Sequence, residues 1–208
     1  MRAIPREVND TSVRDADEAY ALGLWCADGY WWSSSVGLSN VEPELLLRFA
    51  RYLSHALEPD RMRLRIYAED EDRADMRLLE LTSHVSWCKP SKMRRTAYHL
   101  YVNSRPLLRR FQELRLHVEE LAFRFLGPYL AGRFDGDGCL GNTIRIAYTK
   151  AMEANLDRRL LSRAEVRTSL LYYAKANEYC IYVHRSEVDA FLELIKNYSW
   201  KVQCRFTL

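Results

Sequence analysis

Two aspartates, Asp28 and Asp137, are each followed by a glycine, and each closes a segment of the same pattern. The first segment reads AYALGLWCADGY (19–30) and the second PYLAGRFDGDGC (128–139). In both, a small residue stands four positions after a glycine: Gly23 and Ala27, then Gly132 and Gly136. That spacing gives a helix a flat strip on which a second helix backbone can approach closely. If the two helices cross on these strips about a pseudo-two-fold axis, their C-terminal ends bring two carboxylates together. Like charges at two negative helix ends repel, and a divalent cation relieves the repulsion. Mg²⁺ takes one or two carboxylates and completes its shell with water and phosphate oxygens. Two such ions on a phosphodiester activate the attacking water and stabilise the leaving oxygen. The bland alternative is a pair of helix caps with glycine in the left-handed conformation. Repetition of acid, glycine and strip in one register favours the chemistry. A calcium loop at 135–142 is excluded, because Cys139 and Leu140 stand where an oxygen ligand and a glycine are needed.

A second pair of markers fixes the organisation. YHLYV (98–102) and YCIYV (179–183) match each other. The acids are offset by 137 − 28 = 109 residues and these strands by 179 − 98 = 81, so the first copy carries an extra 28 residues between the markers. The acidic run at 69–80 and the basic run at 89–110 locate this insertion near 68–95. Each copy then parses as α-β-β-α-β-β-α, an α+β class. After the helix that ends in Asp-Gly, the first copy is predicted to have strands at 30–33 and 35–40, a helix at 42–56, strands at 61–67 and 95–103, and a helix at 105–114. The second has strands at 139–142 and 143–149, a helix at 151–163, a hairpin at 166–184 and a helix at 186–197. Residues 72–87 add a helix inside the insertion. The halves are 1–114 and 123–208, joined by a linker at 115–122 that lacks Gly, Pro and Ser.

Composition bounds the partners. Among 208 residues, 31 Lys+Arg oppose 28 Asp+Glu, for a net charge of +3, and 48% are apolar. That describes a globular chain, and no apolar run reaches the ~18 residues of a membrane span. The first twenty residues lack the apolar core of a secretion signal, so the expected location is intracellular, in the cytoplasm or an organelle. The five cysteines are widely spaced and read as free thiols. Of the basic residues, 25 are Arg, whose planar fork suits phosphates and guanine edges. Residues 69–80 carry a local −4 and residues 89–110 a local +7. Alternation places Arg61, Arg63 and Arg65 on one strand face, with Met62, Leu64 and Ile66 on the other. One apolar face and one arginine face describe a strand half buried and half offered to an anion.

The motifs LAGRFDGDG (130–138) and, more loosely, ALGLWCADG (21–29) make the chain resemble the LAGLIDADG family of homing endonucleases. The likeness covers nearly the whole chain through the repeat and the order of elements. It implies a monomeric, pseudo-two-fold saddle of two αββαββα halves, with antiparallel sheets on the DNA-facing side lying in the major groove. It implies Mg²⁺- or Mn²⁺-dependent double-strand cleavage at a long recognition site, leaving short 3′ overhangs, in the service of intron mobility. By position, Asp28 and Asp137 become the metal ligands, with the carbonyls of Ala27 and Gly136 beside them. Cys26 stands where the family has an earlier, non-catalytic acid, which Asp135 retains, and Arg133 stands where Leu is usual. Aligning LSNVEPELL (38–46) with YTKAMEANL (148–156) gives Asn40 and Lys150 as catalytic partners, Lys150 polarising water or stabilising transition-state charge. On the same surface the expected DNA contacts are Ser35, Arg61, Arg63, Arg65, Arg95, Arg105, Thr143, Arg145, Arg167 and Arg185. Two other functions fit the scaffold: an RNA maturase that assists splicing of a host intron, and a DNA-binding protein that does not cut. Retention of both acids favours the nuclease.

Overall fold

The structure is a computed structural model and describes residues 12–30, 34–70, 73–89 and 95–206. Residues 31–33 of the first predicted strand and 90–94 of the basic run lie outside the described residues. No described helix is long and apolar enough to cross a membrane. The chain forms two compact units. One is built from Asp28–Glu113, the other from Ser12–Ala27 with the described residues of Leu114–Leu208.

The first unit is a five-stranded sheet backed by helices. Its strands are β1 (Gly29–Tyr30), β2 (Ser35–Asn40), β3 (Met62–Tyr67), β4 (Val85–Cys88) and β5 (Ala97–Asn103), in the order β1-β2-β5-β3-β4. β5 pairs antiparallel with both β2 and β3. Alternation is followed closely in β3, where Met62, Leu64 and Ile66 are buried, Arg63 is exposed and Arg65 half-buried. Helix α2 (Pro43–Ala56) begins with proline in its first turn, where the missing N–H costs nothing. It buries Leu45, Leu46, Phe49, Ala50 and Leu53, the spacing of one helical face. Phe49 and Tyr52 meet Phe111 of helix α4 (Arg105–Leu116) edge to face, at 6.4 and 5.6 Å between centroids.

The insertion differs from its expected form. In place of a helix over 72–87 it holds one turn, α3 (Met76–Leu79), capped by the Asp75 carboxylate, and then β4. β4 pairs parallel to β3, so this sheet is not wholly antiparallel. A four-residue strand with two exposed residues, Ser86 and Trp87, offers no periodicity to read in advance.

The second unit holds the two motif helices, α1 (Ala16–Asp28, through Ala27) and α5 (Leu126–Asp137). Both are buried on nearly every side, from Glu18 to Cys26 and from Leu126 to Asp135. Their glycines explain how. A Cβ on Gly23 would strike the Tyr129 carbonyl and lie 3.0 Å from Arg133 N, and one on Gly132 would strike the Tyr20 carbonyl and lie 2.7 Å from Leu24 N. The helix backbones therefore touch at Gly23 and Gly132, as the small-residue strips predict. A four-stranded antiparallel sheet follows, ordered β6-β7-β9-β8: β6 (Gly138–Leu140), β7 (Ile144–Tyr148), β8 (Thr168–Tyr173) and β9 (Glu178–Val183). Helix α6 (Ala151–Arg163) packs on β7, β8 and β9. The predicted closing helix at 186–197 is a 3-10 turn (Arg185–Glu187) leading into α7 (Val188–Ile195), and an unpredicted helix, α8 (Trp200–Phe206), follows.

Two features depart from a simple tandem division. The first motif helix groups with the second half of the chain, not with 28–113. Residues 115–122 are also structured: they finish α4 and form a 3-10 turn (Val118–Glu120) with Val118 and Leu121 buried. Arg163 of α6 holds this turn by donating to the Glu119 and Leu121 carbonyls at 2.6 and 2.8 Å.

Candidate functional site

Each motif helix runs straight from its acid into a strand. Gly138 sits at φ −85° and ψ 151°, and no described glycine has positive φ, so the left-handed cap is not used. Glycine is needed at 138 because a Cβ would run into the Phe134 carbonyl and ring.

The two acids have unlike surroundings. In the first unit, half-buried Asp28 accepts a hydrogen bond from Asn40 Nδ2 at 2.7 Å. Asn40 Oδ1 in turn accepts from the Glu42 N–H at 2.8 Å, which fixes the amide orientation. Asn40 thus orients the acid, as its place at the end of β2 suggests. In the second unit, Asp137 lies 3.8 Å from Arg133 Nη1. Arg133 is buried, its Nε donates to Asp157 Oδ2 at 2.9 Å, and its Nη1 hydrogen-bonds to no described atom. The Tyr129 and Tyr148 hydroxyls complete the Asp157 site at 3.0 and 2.9 Å. An arginine in place of the usual leucine is therefore accommodated by an acid on α6.

Lys201, on the unpredicted α8, is the residue that sequence reasoning missed. Its Nζ donates to the carbonyls of Gly138 at 2.7 Å and of Phe134 and Gly136 at 3.3 Å. Phe134 and Gly136 lie in the last turn of α5 and Gly138 just beyond it, where a cation is favoured by the helix dipole. Asp135 ties the same helix to the start of α8. It is buried and accepts from Ser199 Oγ at 2.6 Å, the Trp200 N–H at 2.7 Å, the Lys201 N–H at 3.2 Å and the Tyr20 hydroxyl at 2.7 Å. Nothing in the sequence flags Lys201, since its targets are backbone atoms and the first copy has no counterpart of α8.

Lys150, predicted beside the reacting phosphate, is exposed at the start of α6 and lies 3.6 Å from Glu153. Ala27 and Gly136 are half-buried. Among the described residues no group of three or more His, Cys, Asp or Glu side chains could hold a metal. A divalent ion would therefore rest on one or two carboxylates supplemented by carbonyl, water and phosphate oxygens. Asp28, with a neutral amide beside it and the Ala27 carbonyl preceding it, suits a hard cation. The Asp137 side suits one less, because the Gly136 carbonyl already holds an ammonium.

The expected DNA-facing residues divide. On the face of the first sheet opposite α2, Arg63 is exposed, Arg65 half-buried, and Arg61 exposed in the 3-10 turn ahead of β3, donating to the Asn103 carbonyl at 2.8 Å. Ser35 shares this face but is covered, its hydroxyl donating to Asn103 Oδ1 at 2.7 Å, because its neighbour across the pair is long enough to close over it. His99 is also covered: Tyr30 and Tyr101 pack on its ring at 4.9 and 5.0 Å between centroids. Burial, with Arg65 nearby, lowers its pKa to about 4. On the second sheet, Arg145 is exposed in β7, whereas Thr143 lies in the bend before that strand. Arg95 is exposed and pairs with Glu42 at 3.1 Å, and exposed Arg167 pairs with Glu187. Arg105 and Arg185 are exposed at the starts of α4 and of the turn before α7.

By sequence the chain matches no protein-family model and no curated protein. By structure it superposes on the homing endonuclease I-DmoI in complex with DNA and Ca, with a TM-score of 0.66, 14% identity and coverage of 93% of this chain and 98% of that one. It is similar to I-WcaI bound to its DNA recognition sequence (TM-score 0.59, 10% identity, 96% and 92% covered). The N-terminal LAGLIDADG domain of DUF199/WhiA gives a TM-score of 0.58 at 15% identity, with 98% and 100% covered. The protein has the LAGLIDADG fold, in the α+β class read from its repeat.

Proposed function

We propose that this chain is a site-specific, divalent-metal-dependent endodeoxyribonuclease that makes double-strand breaks at a long recognition site and thereby mobilises an intron. The observation that carries this reading is the backbone contact of the motif helices at Gly23 and Gly132, each followed five residues later by a helix-terminal acid. Helix contact alone explains the glycines. It does not explain an acid at both helix ends, where the helix dipole disfavours a carboxylate. The likeness to I-DmoI and I-WcaI, both solved with DNA, supports double-stranded DNA as the partner.

Asp28 and Asp137, with the Ala27 and Gly136 carbonyls, would hold Mg²⁺ or Mn²⁺, which supplies water activation and stabilisation of the leaving oxygen. Asn40 holds one oxygen of Asp28 and so orients its carboxylate. Lys150, exposed at the head of α6, is free to turn from Glu153 toward a phosphate. Arg63, Arg65 and Arg145 present guanidiniums from sheet faces to phosphates and base edges.

The test is incubation with a randomised duplex library, with Mg²⁺ and with EDTA, followed by sequencing of the ends. One enriched, Mg²⁺-dependent double-strand cut is expected, and none would leave a DNA-binding protein that does not cut. Asp28→Asn and Asp137→Asn should each abolish double-strand cleavage of the selected site and leave binding intact. Cutting of both strands by either variant removes the acids from the chemistry.

A further inference from the structure

The second motif acid already has positive charge around it. Asp137 has the buried guanidinium of Arg133 at 3.8 Å, and the carbonyl of the residue before it, Gly136, accepts from the Lys201 ammonium at 3.3 Å. We infer that Lys201 is a positioning residue that supplies a resident cation at the second motif and so weakens divalent-ion binding there. The inference rests on the nuclease reading of the two acids.

Lys201 is held in place from both ends. Its backbone N–H is bonded to Asp135, which anchors the first turn of α8, and its Nζ reaches three carbonyls at the end of α5. The same helix end thus has a full positive charge on its free carbonyls, a position where a cation opposes the helix dipole. A divalent ion at Asp137 must displace this ammonium from Gly136 or bind beside it, and either lowers affinity through like-charge repulsion. The first motif cannot copy the device. Cys26 occupies the place of Asp135, and a thiol offers no carboxylate to accept the three donors at the start of a helix like α8.

The closing experiment measures Mn²⁺ binding to the full chain by water-proton relaxation, without DNA. Wild type should show one site lost in Asp28→Asn and a second lost in Asp137→Asn. Lys201→Met should tighten the second site by about threefold or more, and Lys201→Arg should leave it at the wild-type value. Lys201→Gln, which keeps a donor for the carbonyls, guards against loss of the fold and should tighten it likewise. Thermal melting accompanies each variant. Unchanged or weaker Mn²⁺ binding in folded Lys201→Met and Lys201→Gln overturns the inference while the acids keep their role. Mn²⁺ binding that responds to neither Asp28→Asn nor Asp137→Asn overturns the metal reading and this inference together.

Discussion

Arg133 and Asp157 form an ion pair with Nε 2.9 Å from Oδ2, and both side chains are about 2% exposed. The arginine sits where a motif helix would ordinarily place an aliphatic residue, and the acid comes from the middle of α6. Tyr129 and Tyr148 donate to the same carboxylate, and the guanidinium carbon lies 4.7 Å from the Tyr148 ring centre. Burial raises the Asp157 pKa, while Arg133 and the two phenols oppose that shift.

Breaking this pair on one side takes the close partner from a buried charge, leaving Arg133 only Asp137 at 3.8 Å and Asp157 only its two phenols. Asp157→Asn and Arg133→Met should each destabilise the fold by about 3–5 kcal/mol. The double variant Arg133→Met with Asp157→Asn should lose less than the two single effects combined, because the residues are directly coupled. Urea unfolding of the four proteins gives the coupling. An additive double variant would show that the pair is not a unit.

The helix contact predicts strict size limits. Gly23→Ala and Gly132→Ala each push a methyl into a carbonyl of the facing helix. Each should cost about 1–3 kcal/mol or more, the range of overpacked interiors. Gly141→Ala is the control, since its nearest neighbour would be 3.9 Å away. Equal melting temperatures for all three would refute the contact.

His99 makes stability depend on acid. Its folded pKa, about 4, is below the ordinary 6.5, so the unfolded chain binds its proton first. Stability from the neutral ring is therefore full above pH 6.5 and declines as pH falls from 6.5 toward 4. In urea titrations across that window, His99→Gln should show a shallower decline than wild type. An identical slope would place the acid sensitivity elsewhere.

The thiols should react in two classes. Cys139 and Cys204 are exposed, whereas Cys26 is buried with a pKa raised to about 12 and Cys180 is buried with one raised to about 11. Reaction with iodoacetamide requires accessible thiolate. Peptide mapping of the folded protein should find label on Cys139 and Cys204 well before Cys26 or Cys180. Early modification of Cys26 would mean that α1 is not packed as described.

The parts legible in the sequence are those that repeat or alternate. Gly23 and Gly132 sit in one register of a duplicated motif, and their contact follows from it. Arg63 and Arg65 alternate with Met62, Leu64 and Ile66, and burial alternates likewise. What stayed hidden depends on partners distant in the chain or on backbone atoms. Ser35 was expected to face outward, but whether it is covered is decided by Asn103, 68 residues away. Asp157 has no local signature of its partnership with Arg133. Lys201 reads carbonyls, which every residue possesses, so no side-chain pattern could have marked it. Strand β4 is too short and too exposed to show a period.

The grouping of Ser12–Ala27 with the C-terminal unit means that the repeat boundary in the sequence and the boundary in space do not coincide. In the vocabulary of domain swapping, the second copy holds a helix donated by the first. A gene cut at residue 114 would therefore not yield two self-sufficient products. The downstream fragment would leave the face of α5 at Gly132 without its covering helix, while the upstream fragment would carry a helix with its apolar faces unmatched. Such fragments should recover the structure only by finding each other, which makes the chain a natural subject for split-protein complementation.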